Sequence, residues 1–168
     1  MIRSLMIAAA FVAGLAGGAR AQDIPFDYMP SSAIQPGTAP GMKAAELPSH
    51  LRMFRITFAK GDDPAAGLAD FADKNHITNA QFSAIGAFGS ATIGWSDRPK
   101  KAFKVVKLNE EMEVASFNGS VTRDKDGKPY VHAHCVVGLL GNGRVYAGHC
   151  LEERVSLTME MYLTDAGP

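Results

Sequence analysis

The sequence predicts an α+β fold: a single compact domain with a mainly antiparallel, twisted sheet of about seven strands and one main helix. Three observations carry this. Apolar side chains alternate, or run on continuously, through seven segments between residues 51 and 163. One segment alone, opening at Asp62-Asp63-Pro64, has helical spacing. The breaks between strand-like segments are short and rich in Gly, Asn and Asp, as hairpin connections require.

Residues 1–21 stand apart from that fold. Arg3 supplies a positive start, residues 5–16 form a 12-residue apolar run, and Ala19-Arg20-Ala21 is a small-residue cleavage site. This is the pattern of a secretory signal peptide, cleaved before Gln22. The run is too short to span a bilayer as a helix. The expected location is periplasmic or secreted, with no membrane attachment after cleavage. Residues 22–50 contain five of the nine prolines (Pro25, Pro30, Pro36, Pro40, Pro48), and no apolar period survives that spacing. They read as an extended arm or linker, a flexible lead to a domain over 51–165.

Within the domain, Phe54, Ile56 and Phe58 share one face of a strand that begins at Leu51. Lys60-Gly61 turns the chain, and Asp62 or Asp63 caps a helix with Pro64 at its first position. Leu68, Phe71 and Ala72 carry that helix to about Asn75, with His76 at its end. Residues 80–95 are a long apolar strand in which Gly86, Gly89 and Gly94 mark bends or close backbone approach. Strands over 101–108 and 112–122 follow, joined at Asn109-Glu110-Glu111. Arg98, Lys100, Lys101, Lys104 and Lys107 read as the lysine-protected edge of the sheet rather than an anion site. A charged loop around Asp126-Gly127 leads to strands at 130–140 and 144–151, which flank Gly141-Asn142-Gly143. Residues 155–163 alternate once more and close the domain.

Charge narrows the function. The chain has 17 basic and 17 acidic side chains; without residues 1–21, which hold Arg3 and Arg20, the balance is −2. A domain that binds nucleic acid by bulk electrostatics is usually basic, so nucleic acid is an unfavoured partner.

The histidines give the chemical lead. His132 and His134 are two apart on one strand and point to the same face. With Asn142-Gly143 as a two-residue loop, His149 lies opposite Val136, diagonal to His134 and on that face. A four-residue loop keeps this parity; a three-residue loop breaks it. Three neutral imidazoles form a candidate site for a divalent metal, with zinc the first choice and Cu, Ni or Fe also compatible. The open fourth position of such a site suits catalysis, because a water there ionises near pH 7, at about that pKa. The plain alternative is a polar face of three half-exposed imidazoles. The same register sets Cys135 opposite Cys150 on the other face, as a disulfide or as two buried thiols, and away from the metal. Glu160, between Met159 and Met161, is either an acid/base or orienting group or an outward-facing strand residue. Glu152 and Glu153 read as solvated.

With these residues in place, a family resemblance emerges. The stretch from Phe54 to Leu163 resembles the plants and prokaryotes conserved (PPC) domain. The matching pieces are Arg55-Ile56-Thr57-Phe58-Ala59-Lys60-Gly61-Asp62-Asp63, Ala84-Ile85-Gly86-Ala87-Phe88 and, most specifically, Gly127-Lys128-Pro129-Tyr130-Val131-His132-Ala133-His134. Gly143-Arg144-Val145, Gly148-His149-Cys150-Leu151 and Met159-Glu160-Met161 continue the match, with Ala147 and Cys135 departing from the usual pattern. The resemblance implies a homotrimer and, for bacterial relatives, metal binding at His132, His134 and His149. It also implies a fold similar to acetolactate decarboxylase and a related ester hydrolase, though a shared fold transfers no substrate. Plant relatives bind DNA through a separate Arg-Gly-Arg-Pro hook that this chain lacks. Three readings therefore stand: a metal site acting on a small carbonyl or ester, a non-catalytic trimeric binding module, and, least favoured, a DNA-binding protein.

Overall fold

The computed structural model describes residues 27–47 and 51–167. The signal peptide expected at 1–21 lies outside the described residues. Among those described, no helix is long and apolar enough to cross a membrane.

The described residues form eight strands and one α-helix: β1 (Asp27–Met29), β2 (Lys43–Leu47), β3 (Arg52–Ala59), α1 (Pro64–Lys74), β4 (Ala80–Asp97), β5 (Ala102–Leu108), β6 (Met112–Arg123), β7 (Pro129–Leu139) and β8 (Val145–Asp165). The sheet order is β1-β5-β4-β6-β7-β8-β3-β2, and every pairing is antiparallel. A further pairing of β4 with β8 closes β4, β6, β7 and β8 into a ring. The expected α+β class and single helix are what the chain adopts.

The count of eight arises from two departures. First, the proline-rich arm is not a loose lead: its described part contributes β1 and β2. Both strands fit between prolines, β1 before Pro30 and β2 after Pro40, and both lie at edges of the sheet, where prolines nearby break no ladder. Second, 144–151 and 155–163 are one strand, β8. The acidic step at Glu152-Glu153 is no turn; shifts of register against β4 between Phe88 and Ser90 and between Thr92 and Ile93 absorb the bend. The lysine-rich β5 is also not an edge. Met29, Tyr28 and Asp27 of β1 pair with Phe103, Lys104 and Val105 in register and cover it.

The core fills the space between the curved sheet and α1. Phe54, Ile56 and Phe58 are buried, as their alternation predicts, and Phe54 meets Phe71 of α1 edge-on at 5.1 Å. Phe117 joins Phe82 and Phe88 at ring separations of 5.4 and 5.9 Å. Asp63, not Asp62, caps α1: its side chain accepts from the Ala66 amide at 2.9 Å. The helix ends at Asn75, and His76 takes a left-handed φ of 56°. That residue lets the Ile77 amide reach the Ala72 carbonyl at 2.9 Å and satisfies the helix end.

Candidate metal centre

The site begins with a turn. Leu139 and Arg144 bracket a four-residue loop, closed by the Leu139 amide on the Arg144 carbonyl and the Gly143 amide on the Leu139 carbonyl, both at 2.8 Å. Gly143 takes φ 68°, which a residue with a side chain adopts only with strain. The expected two-residue loop is therefore corrected, and the ladder moves by two residues. His149 stands directly opposite His134 rather than Val136. Parity is unchanged, so the three imidazoles still share a face.

A neighbouring strand fixes the depth of His132. Gly119 of β6 passes so close to the His132 carbonyl that a Cβ there would collide with it. His132 pairs with Ser120 and His134 with Asn118, so β6 holds the whole His-x-His segment in register.

The three side chains converge. One ring nitrogen from each of His132, His134 and His149 lies within 4.8 Å of the others, and they form the one such cluster of three ligand residues among the described residues. The His132 Nε2 and His149 Nδ1 atoms are 3.2 Å apart and share a hydrogen bond. Ring centroids are 4.3 Å apart for His134 and His149, and 5.1 Å for each of the other two pairs. Phe103 of β5 meets the His149 ring at 5.1 Å and limits its rotation. Partial burial, followed by the charge of the neighbouring imidazoles, holds His134 and His149 below the usual imidazole value. Both are therefore neutral near pH 7, the form that offers a lone pair.

The residues fit a metal. Two nitrogens on one tetrahedral zinc stand about 3.3 Å apart, from Zn–N bonds of about 2.0 Å. The His132–His149 pair already has that separation, and the His134 nitrogen lies within 4.8 Å of both. Three imidazoles suit Zn, Cu, Ni or Fe and leave one position for a ligand.

The remaining predicted residues fall elsewhere. Cys135 lies opposite Gly148, so Cys150 is diagonal to it rather than directly across. Both are buried free thiols on the core face. Burial, then a hydrogen bond with Cys135, pushes the Cys150 thiol well above its ordinary value. Glu160 is exposed, pairs with Thr57 and Ile85, and lines a separate cavity with Leu157. Within one chain it is not brought to the histidines.

A residue the sequence reading placed in solvent is buried against the start of α1. Glu153 is 1% exposed, and its Oε1 accepts from the Ala65 amide at 3.1 Å. Its Oε2 has no hydrogen-bond partner. Burial, with the charge of Asp63 added, pushes its carboxyl up to about 8, so it is mainly protonated at pH 7. No signal in the sequence marks it, because the bulge between Cys150 and Glu152 that turns the strand inward leaves no trace in the alternation.

The family model for the Plants and Prokaryotes Conserved domain matches residues 46–167. The chain belongs to the PPC family. Solved structures of similar proteins agree with the PPC fold seen here. A plant- and prokaryote-conserved protein of Pyrococcus horikoshii is 27% identical, with a TM-score of 0.65, covering 79% of this chain and 86% of its own. A metal-containing protein of Archaeoglobus fulgidus is 31% identical, with a TM-score of 0.62 over 74% of this chain and 83% of its own. A candidate DNA-binding protein of Ralstonia eutropha JMP134 is 30% identical, with a TM-score of 0.66 over 73% and 82%. No curated protein matches the sequence.

Proposed function

We propose that this PPC-domain protein is exported, assembles as a trimer and binds a divalent metal, zinc first among the candidates, through His132, His134 and His149. The observation that carries the reading is the convergence of three ring nitrogens within 4.8 Å on a face otherwise made of strands. The similarity to a metal-containing archaeal protein supports it. When bound, the metal supplies Lewis-acid chemistry suited to a small carbonyl or ester. The chain's own residues do the rest. Neutral His134 and His149 offer lone pairs, Phe103 steadies His149, and the strand ladder fixes all three Cα positions.

The test is metal analysis of protein purified without a histidine tag. We expect about one ion per chain in wild type and a loss of at least tenfold in affinity in His132→Ala and His149→Ala. No stoichiometric metal in wild type, or full retention in the double variant, would refute the site. The similarity to a candidate DNA-binding protein supports a second reading. Tight DNA binding that persists at physiological salt would favour it, whereas binding lost between 50 and 200 mM salt, roughly the range over which phosphate contacts weaken, would not.

A further inference from the structure

The proline-rich arm lies mostly outside the family match, which begins at residue 46. It is nevertheless fixed to the domain at several points. β1 pairs with β5, and the Gly37 amide donates to Asp63 Oδ2 at 2.9 Å. The Asp63 amide donates back to the Thr38 carbonyl at 2.9 Å, and the Gly41 amide to Asp62 Oδ1 at 3.0 Å. Arg154 holds the same Asp63 Oδ2 at 2.8 Å. A Cβ on Gly37 would stand 2.8 Å from both Asp63 Cβ and Arg154 Cζ, so the backbone itself rests on this ion pair. Two buried aspartates on the turn before α1 thus tie the arm down.

Between these ties, Ile34 and Pro36 form one wall of a cavity of about 350 Å³. His132 and His149 lie in its lining, with Phe103 and Leu151 beside them. Among the described lining residues there is no Lys or Arg, and the one acid, Asp63, is engaged by Arg154. The wall is mainly apolar, with Ser31, Gln35 and Tyr130 as neutral polar groups, and a charged ligand group finds its partner at the histidine end.

We infer that the arm completes a ligand pocket on the three-histidine site, and that the pocket takes a small molecule with a metal-binding oxygen head and a compact apolar body. The head faces His132 and His149, and the body packs against Ile34, Phe103 and Leu151. This inference rests on the metal reading above. It goes beyond that reading in assigning the arm a role in selecting the ligand and in naming the ligand's shape.

The experiment uses the full mature chain loaded with Co²⁺, whose visible spectrum reports ligand binding directly. Acetohydroxamate and benzohydroxamate are titrated in turn; they share one head and differ in the apolar body. We expect benzohydroxamate to bind at least about tenfold more tightly, in line with the burial of a ring. Ile34→Ser and Phe103→Ala should each reduce that ratio severalfold. Equal affinities in wild type, or a ratio unchanged in both variants, would overturn the inference. Metal content on the same samples separates the two failures. Wild-type protein without metal refutes the three-histidine site, and the pocket with it. Full metal with no preference between the two hydroxamates refutes the arm's role alone.

Discussion

At the scale of the residue, Glu153 has the clearest consequence. A carboxyl with a folded pKa of about 8 binds its proton more tightly in the native state than in the unfolded chain, where the ordinary value is 4.5. Such a group withdraws stability as pH rises from about 4.5 towards 8, because the unfolded state ionises first. Glu153→Gln removes that dependence. Chemical denaturation should show the wild type losing stability between pH 5 and 8 along a slope that the variant lacks. At pH 7 the variant should be more stable by about 2 kcal/mol, a figure of the order that such a shift implies. An equal slope in both proteins would place the proton elsewhere. The histidines have the opposite sign. Their lowered values mean that the folded state, and any bound metal, is disfavoured as pH falls below the ordinary imidazole value of 6.5. His132, His134 and His149 were legible in the sequence because strand parity is a rule of two. Glu153 was not, because a bulge changes parity and no pattern within one strand reveals where a bulge falls.

At the scale of the element, α1 and the hairpin show what local chemistry decides. The Asp63 cap and Pro64 start are readable because capping depends on neighbours in sequence. The stop is readable too, but it uses an unfavourable residue. His76 occupies the left-handed position that Gly fills at least cost. His76→Gly should raise stability by about 1 kcal/mol, measured as a higher denaturation midpoint with an unchanged slope. No gain would mean that the exposed imidazole has a compensating contact. The hairpin was read with the right face and the wrong loop length. Gly141-Asn142-Gly143 announces a turn, but two- and four-residue loops keep the same parity, so the pattern of faces cannot choose between them. The cysteines depended on exact opposition, and that is where the register error appears.

At the scale of the whole molecule, the outer sheet surface carries an apolar patch. Ile85 is 60% exposed and Leu157 75% exposed, and both line one cavity with Glu160. A face of this kind suits the trimer proposed above. Leu157→Glu should convert the assembly to monomers by light scattering, with metal content unaltered; a monomeric wild type would refute the trimer itself. The fold class was legible because alternation survives in nearly every strand. The arm was not, because β1 and β2 are too short to show a period and take their order from the edges they cover. Those edges have a further meaning in time. β2 docks on β3, and β3 pairs with β8, the last strand of the chain; Arg52 meets Asp165 across 113 residues of sequence. β3, early in the chain, thus gains its second neighbour only when the last strand has formed. Connectivity of this kind makes folding slow. For a chain exported as proposed above, that delay would keep it threadable until it has crossed the membrane.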